Sequence, residues 1–333
     1  MKLQLLIPQY TETDELIKPL LDSIALQQRV DFDNIGVIIC NDGSDTFLTD
    51  DFLRGYPFEI QYHKEPHRGV SGTRNACLDY AAAEYVMFCD ADDMFFNMCG
   101  LWIILKAIED GGFDCMISYF LEERKQGAEG GFGFLTHSMD STFVHGKVFR
   151  RAYLAENSIR FDPALTIHED SYFNLLAQNC TRDIKKCETP LYLWKWRQES
   201  VCRHDDKYIL KTFSSLIDSN DALIDEFLRR GMKDKAEVYS AMMVFDSYYT
   251  MNKPEWIDQE NATYRAAAEK RFKDYFTKHK GLWEEMPTQT RMILSNNIRT
   301  RQVREGMLME TKTISEWLGE IVKEGQDDGR KMS

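Results

Sequence analysis

The amino-acid sequence predicts an α/β fold whose mostly parallel sheet is flanked by helices, followed by an all-helical C-terminal domain. Up to about residue 204, short unbroken apolar runs, typical of strands buried on both faces, alternate with helical patterns. From residue 205 onward, apolar residues recur at intervals of three and four and strand-like runs are absent. We therefore predict two domains, residues 1–204 and 205–333.

Length, charge and cysteine content narrow the class of protein. The 333 residues can bury a full core, and the net charge of −13 argues against nucleic acid as a partner. We expect no transmembrane segment, because no apolar run is long enough, although peripheral contact with a membrane stays open. The eight cysteines lack metal-type spacing, which predicts a reduced, cytoplasmic protein.

The first half of the chain alternates predicted strands and helices. Residues 3–7 and 35–40 are buried strands, with a helical pattern between them. Residues 58–62 form a weaker third strand, and residues 69–75 lead into a helix that runs to about residue 83. Because two strand–loop–helix units follow each other, we expect parallel strands joined by crossover helices.

A cluster of carboxylates ends the fourth predicted strand. Residues 85–89 are an apolar run followed by Asp90, Asp92 and Asp93. A ligand crevice is expected at the carboxyl end of a central strand in an open α/β sheet. A bound cation would relieve the repulsion between these charges, and hard oxygen ligands favour Mg²⁺ or Mn²⁺. Alternatively, Asp92 or Asp93 caps the helix that follows.

The second half of the α/β domain is less regular. Its predicted elements are a helix over 101–108, strands at 114–121, from 143 and at 191–197, and helices over 147–156 and 169–176. Residues 122–140 are charged and rich in glycine, which predicts a mobile surface loop able to act as a lid.

Polar segments that follow the strands form one candidate site, because the carboxyl ends of parallel strands lie along one edge of a sheet. Asp42 can accept hydrogen bonds from a base or ribose, or it can stabilise an Asx turn. Arg74, near a helix start, suits a diphosphate, although a surface salt bridge is the commoner role. Glu169 and Asp170 can complement a helix dipole, or one of them can act as a general base.

Motifs for other kinds of phosphate binding are absent from the sequence. There is no P-loop lysine motif, and the first strand is not followed by Gly-x-Gly-x-x-Gly. Metal-mediated binding of a diphosphate is therefore the coherent hypothesis.

Five segments together resemble glycosyltransferase family 2. They are Ile7-Pro8-Gln9-Tyr10, Asn41-Asp42-Gly43-Ser44, Gly69-Val70-Ser71-Gly72-Thr73-Arg74-Asn75, Asp90-Ala91-Asp92-Asp93 and Glu169-Asp170. The resemblance covers residues 1 to about 204, although Gln9 and Asn41 depart from the family's usual residues. It implies a Rossmann-like GT-A fold and a metal-dependent, inverting transfer of a hexosyl or N-acetylhexosaminyl group. The donor would be a nucleotide-sugar, usually a UDP-sugar, and the acceptor a hydroxyl group.

The resemblance also implies residue roles. Asp170 would be the catalytic base, with Glu169 beside it. Asp92 and Asp90 of the Asp-x-Asp (DXD) motif would hold Mn²⁺ or Mg²⁺, with His204 as an additional ligand. The residues expected to bind the nucleotide-sugar are Pro8, Tyr10, Glu12, Asp42, Arg74, Asp90, Ala91 and Arg197.

The helical domain matches no family known to us, and we expect it to bind the acceptor or to mediate oligomerisation. Basic residues outnumber acidic ones between residues 265 and 304, which favours an anionic polymer such as a teichoic acid as acceptor. Cell-surface polysaccharides and other hydroxyl acceptors stay open, as does the oligomeric state. Two alternative functions are a nucleotidyltransferase and a non-catalytic nucleotide- or carbohydrate-binding module.

Overall fold

The computed structural model of the protein describes residues 1–126, 130–198, 208–253, 256, 259–304 and 313–327. The chain divides into two compact units, Met1–Val201 and Cys202–Ser333. The first unit is a mixed α/β structure and the described part of the second is helical. The predicted α/β class and the helical C-terminal region are thus confirmed.

A sheet of nine strands forms the centre of the first unit. The strands are β1 (Leu3–Gln9), β2 (Ile35–Asp42), β3 (Glu59–Glu65), β4 (Tyr85–Phe88), β5 (Met94–Phe95), β6 (Cys115–Gln126), β7 (Gly131–His137), β8 (Lys147–Arg150) and β9 (Ile184–Trp194). Their order is β3-β2-β1-β4-β8-β6-β9-β5, and β7 pairs with β6. β1 to β4 are parallel, whereas β8 is antiparallel to both of its neighbours.

The order of the parallel strands positions the site. Leu3 of β1 lies opposite Ile35 of β2 on one side and opposite Tyr85 of β4 on the other. The chain proceeds from β1 outward to β2 and β3 and then returns to β4 on the far side of β1. In open α/β sheets a ligand crevice lies at such a reversal, at the carboxyl ends of the strands.

Six helices accompany this sheet: α1 (Asp14–Ala25), α2 (Asp50–Leu53), α3 (Gly69–Tyr80), α4 (Gly100–Glu109), α5 (Arg151–Glu156) and α6 (Glu169–Asn179). Ile17, Leu20 and Leu21 recur at helical spacing in α1 and are fully buried. They share one apolar core with Leu5 and Val37 of the sheet. Burial of this core supplies the main driving force for folding and holds the strand ends in place.

Several predicted elements are wrong in their type or bounds, among them the strand predicted from residue 143, which begins at Lys147. Residues 147–150, predicted to begin a helix, form β8 because they pair with β4 and β6 at once. Residues 122–140, predicted to be a mobile loop, contain the end of β6 and all of β7, which pair as a hairpin. The strand predicted at residues 191–197 begins earlier, at Ile184, and ends at Trp194.

The second unit contains five described α-helices: α7 (Tyr208–Arg229), α8 (Lys233–Met251), α9 (Ala262–Glu285), α10 (Thr288–Arg304) and α11 (Ile314–Asp327). Its core includes Phe227, Phe272 and Trp317, and the ring centroids of Phe272 and Trp317 are 5.1 Å apart. Among the described helices of the chain, none is long and apolar enough to cross a membrane.

Candidate active site

Two amide side chains connect the ends of β1 and β2. Asn41 Nδ2 donates to Gln9 Oε1 at 2.7 Å and to the carbonyl of Thr46 at 2.8 Å. Gln9 Nε2 donates to the carbonyls of Thr46 and Glu12 at 3.0 and 2.9 Å. Both side chains are buried, so these hydrogen bonds fix the course of the two loops that border the crevice.

Asp42 lies at the end of β2 and is only 5% exposed. Its Oδ1 accepts from the backbone N–H of Arg68 at 2.7 Å, and its Oδ2 lies 3.0 Å from His67 Nδ1. Gly43 has a φ of +70°, and a Cβ there would stand 2.4 Å from the backbone nitrogen of His67. A glycine is therefore required for the two loops to approach each other.

Arg74 connects the end of β4 with the start of α6. Its Nη2 donates to Asp90 Oδ1 at 2.9 Å and its Nη1 to Glu169 Oε1 at 2.7 Å. Burial opposes the charge of Arg74, but Asp90 and Glu169 outweigh it and raise its pKa. Burial likewise opposes ionisation of Asp90, but the charge of Arg74 lowers the pKa of Asp90 below its ordinary value. One guanidinium thus holds carboxylates from two distant segments together.

Asp170 follows Glu169 in the first turn of α6. Burial, and next the negative charge of Glu169, raises the pKa of Asp170 to about 7, although Arg74 acts in the opposite direction. His168, which precedes both carboxylates, has a φ of 64° in the left-handed region. A carboxylate whose pKa lies near neutral pH can accept and release a proton under ordinary conditions.

Asp92 faces the segment that follows β9. Arg197 Nη1 donates to Asp92 Oδ2 at 2.9 Å and lies 3.7 Å from Glu12 Oε1. Burial, together with the charge of Asp90, raises the pKa of Asp92. A guanidinium therefore draws two of the predicted donor-site carboxylates toward each other.

Asp93 is the most deeply buried of the three clustered aspartates, at 1% exposure. Its Oδ1 accepts from the backbone N–H of Lys195 at 2.9 Å, and its Oδ2 lies 3.7 Å from His145 Nδ1. Burial and the charges of Asp92 and Asp90 raise the pKa of Asp93 well above its ordinary value. Asp90, Asp93 and His145 offer ligand atoms within 4.8 Å of one another, so they form a candidate metal group.

The structure brings several of the predicted site residues into contact. Arg74, Asp90 and Glu169 form one connected set, and Glu12, Asp92 and Arg197 form another. Pro8 lies within β1, Tyr10 is half exposed just after this strand, and Ala91 is buried between Asp90 and Asp92. His204 lies outside the described residues, and the role predicted for each of these residues remains a prediction.

Some residues of the site carried no clear signal in the sequence. Gln9 and Asn41 were noted only as departures from a family pattern, yet they hydrogen-bond to each other. His67 and His145 lie in loops without a motif, and only the sheet topology brings them beside Asp42 and Asp93. A histidine adjoining a glycine, as at 145–146, gave no indication of a buried partner.

Comparison with known proteins agrees with this geometry. The family model "Glycosyl transferase family 2" matches residues 5–130, which contain β1 to β4 and the clustered aspartates. Residues 5–130 are therefore similar to glycosyltransferase family 2. The family resemblance expected from the sequence is thus confirmed for these residues.

Two curated relatives come from Bacillus subtilis (strain 168). The minor teichoic acid biosynthesis protein GgaB is 29% identical over 104 residues, which are 30% of this chain and 10% of GgaB. The protein EpsH is 24% identical over 243 residues, which are 67% of this chain and 69% of EpsH. The chain thus spans about a tenth of the first relative and about two thirds of the second.

Solved structures share the fold. The crystal structure of S. aureus TarS residues 1–349 has a TM-score of 0.63 and 16% identity, covering 98% of this chain and 92% of TarS 1–349. The complex of the same TarS fragment with UDP-GlcNAc has a TM-score of 0.65 and 17% identity, with the same coverage. At this identity the likeness shows the fold, and it confirms the GT-A type expected from the sequence.

Proposed function

We propose that the protein is an inverting, metal-dependent glycosyltransferase that moves a sugar from a UDP-sugar to an acceptor hydroxyl. The observation that carries the proposal is the pair of hydrogen bonds from Arg74 to Asp90 and Glu169. These bonds join the DXD aspartate of a family 2 sequence to the start of α6, where Asp170 has a pKa of about 7. The side chain of Arg74 thereby links the proposed donor site to the candidate base.

The donor is proposed from chemistry and from likeness. The buried carboxylate of Asp42 contacts His67, and the ring centroid of His67 lies 5.3 Å from that of half-exposed Tyr10. A carboxylate and an aromatic ring on either side of His67 suit a base with an N–H group and a flat face. The TarS fragment that shares the fold was solved with UDP and with UDP-GlcNAc. A UDP-linked N-acetylhexosamine is therefore the first donor to test.

A divalent cation fits the acidic residues at the end of β4. Asp93 Oδ2 is buried without a hydrogen-bond partner among the described residues. Burial and the charge of Asp90 raise the pKa of Asp92 even though Arg197 contacts it, so the negative charge here is incompletely balanced. Asp92 and Asp90 would hold Mn²⁺ or Mg²⁺, with Asp93 and His145 within reach of Asp90. A bound cation would supply charge neutralisation on the leaving diphosphate.

The chain's own residues would then perform the proton transfer and the positioning. Asp170, unprotonated, takes the proton from the acceptor hydroxyl, whose oxygen attacks the anomeric carbon opposite the diphosphate. The new glycosidic bond forms as the bond from the anomeric carbon to the diphosphate breaks, which inverts the configuration. Arg74 fixes the distance between the donor carboxylate Asp90 and the base-bearing turn of α6. Such positioning lowers the barrier by holding the reactants in the reactive arrangement.

The acceptor and the biological setting are proposals as well. The partial likeness to GgaB, a teichoic acid biosynthesis protein, is consistent with a teichoic-acid-like or other cell-surface glycan as acceptor. The seven described cysteines are all free, in keeping with the cytoplasmic location predicted from the sequence. We propose that the helical unit binds the acceptor or mediates oligomerisation.

A donor screen tests the proposed function. UDP release would be measured for UDP-GlcNAc, UDP-glucose, UDP-galactose and GDP-mannose, each with Mn²⁺ and with a chelator. We expect slow, metal-dependent release from one UDP-sugar and its loss in Asp92→Ala. The matched control is Asp31→Ala, an aspartate just before the amino end of β2, at the edge of the sheet opposite the carboxylates. Release of pyrophosphate would instead indicate a nucleotidyltransferase. No release and no UDP binding by calorimetry would indicate a non-catalytic module.

A further inference from the structure

Beside the acidic site, the first unit exposes a group of aromatic side chains. We call it the aromatic face, and it consists of Phe96, Phe132, Phe134 and Trp196. Phe96 is 48% exposed, Phe132 51% and Phe134 56%. Large apolar side chains grouped on a protein surface are uncommon, and they mark binding sites.

The aromatic face is assembled from three segments. Phe132 and Phe134 are two residues apart on β7, so their side chains point to the same side of the hairpin. The ring centroid of Phe132 lies 5.9 Å from that of Trp196, which follows β9. The ring centroid of Phe134 lies 6.4 Å from that of Phe96, which follows β5. The rings therefore line one continuous surface across the hairpin and its neighbours.

This surface adjoins the candidate active site. The backbone N–H of Trp196 donates to Glu123 Oε2 at 3.0 Å, which attaches its segment to the hairpin. The next residue, Arg197, contacts Asp92 at 2.9 Å. Phe96 likewise lies three positions beyond Asp93 in the chain. A molecule bound on the aromatic face would thus extend to the carboxylates.

Polar side chains alternate with the rings. Glu123 pairs opposite Phe134 and Lys125 opposite Phe132, so each ring has a charged neighbour on its side of the hairpin. Lys125 Nζ also lies 5.2 Å from the ring centroid of Trp196. A sugar ring presents an apolar C–H face together with hydroxyl groups, and it matches this mixture. A lipid surface would instead require a continuous apolar area with an excess of basic residues, whereas here one acid accompanies one base.

We infer that the aromatic face binds the saccharide chain of the acceptor and holds it beside the Asp92–Arg197 pair. This inference rests on the proposed glycosyl transfer, and it assigns acceptor binding to the first unit. The rings would stack on sugar C–H faces while Glu123 and Lys125 hydrogen-bond to hydroxyl groups. Acceptor binding would then depend on Phe132 and Phe134, whereas donor binding would not.

A saccharide microarray with the full-length protein tests the inference. The probes are N-acetylglucosamine oligomers, mannan and poly(ribitol phosphate). We expect the unmodified protein to bind at least one probe and the double variant Phe132→Ala/Phe134→Ala to bind it about tenfold more weakly. The matched control is Leu26→Ala, which removes an exposed apolar side chain at the end of α1. Phe132→Leu/Phe134→Leu keeps apolar surface without rings, and it should weaken binding as well.

UDP release without an acceptor is measured on the same samples, so that two kinds of failure stay distinct. Unchanged UDP release in the double variant together with weaker saccharide binding supports the inference. A second outcome is that saccharide binding depends on the rings but neither the unmodified protein nor the variant releases UDP. It would overturn the proposed glycosyl transfer, while the aromatic face would still be a saccharide-binding site. Equal binding by the double variant, or no bound probe at all, would overturn the inference. A change from dimer to monomer in the double variant would identify a second copy of the chain as the occupant and also overturn it.

Discussion

Each unit contains a group of two aspartates and one histidine, and the two groups differ in their countercharges. Asp90, Asp93 and His145 in the first unit offer ligand atoms within 4.8 Å of one another, and so do Asp221, Asp225 and His279 in the second. By residue type and spacing the two groups are alike. Their electrostatic surroundings differ in how many carboxylates share each cation.

In the second unit, cations satisfy the central carboxylate. Asp221 accepts hydrogen bonds from Arg271 at 2.6 Å and from Lys278 at 2.8 Å, and it lies 2.6 Å from His279 Nε2. Burial opposes its ionisation, but these three partners outweigh burial and lower the pKa of Asp221. This group is a structural ion-pair network that joins α7 and α9.

In the first unit, carboxylates outnumber the cations that face them. Arg74 and Arg197 are shared among five acidic side chains, which are Glu12, Asp90, Asp92, Glu169 and, through its charge, Asp170. Burial, and next the charges of neighbouring carboxylates, raise the pKa values of Asp92, Asp93 and Asp170. Excess negative charge in a crevice indicates a site for a cation and for proton transfer, whereas balanced charge indicates a structural role.

The largest effect on stability is expected from removing the ion pairs of Arg74 with Asp90 and Glu169 in the first unit. Arg74→Met leaves Asp90 and Glu169 buried without their countercharge, so the free energy of unfolding should fall by about 3–5 kcal/mol. Urea unfolding measures it. The control Arg54→Met removes an exposed arginine and should change stability by less than about 1 kcal/mol. If Arg74→Met also lowered the free energy of unfolding by less than about 1 kcal/mol, Arg74 would not be the residue that holds Asp90 and Glu169 together.

The raised pKa of Asp170 predicts how activity depends on pH. Because the base must be unprotonated, kcat/KM for UDP release should rise with pH and level off above about pH 7. Below that value the rate should fall about tenfold per pH unit. A profile that stays level down to pH 5 would show that Asp170 is not the base.

The network in the second unit should lose its effect only at a lower pH than the activity does, because the pKa of Asp221 is shifted in the opposite direction from that of Asp170. The folded-state pKa of Asp221 is lowered, so its contribution to stability is present above its unfolded value near 4 and is lost as pH falls below it. Asp221→Asn should cost about 1.5–3 kcal/mol at neutral pH and flatten the acid dependence of unfolding. UDP affinity in this variant should be unchanged, and weaker UDP binding would refute a purely structural role.

The smallest effect is expected at the edge of the same network. Asp225 and Lys278 form an ion pair with each other, and both side chains are about half exposed. Asp225→Asn should therefore change the unfolding free energy by less than about 1 kcal/mol. Thermal unfolding compared with that of Asp221→Asn measures the difference. Equal losses in the two variants would mean that the network acts as one unit, with no distinction between buried and exposed members.

The parallel half of the sheet could be predicted from sequence, because residues 3–7, 35–40 and 85–89 are apolar runs of strand length. β8 could not, since residues 147–150 become a strand only through long-range pairing with β4 and β6. For the site, Asp42, Asp90 and Asp92 could be predicted because they lie at or just after the ends of strands. Glu169 and Asp170, in contrast, follow a loop and reach the site only in the folded chain. The partners His67 and His145 could not be predicted, because only the folded topology brings these loop residues to Asp42 and Asp93.

The most direct test compares Asp170→Asn with Asp221→Asn, one aspartate from each unit. UDP release is measured with the donor identified by the screen, and UDP affinity is measured by calorimetry. Asp170→Asn should lose about 10²–10⁴-fold in turnover while keeping its UDP affinity, whereas Asp221→Asn should keep both. Normal turnover by Asp170→Asn would contradict the assignment of the first unit's carboxylates as the catalytic site.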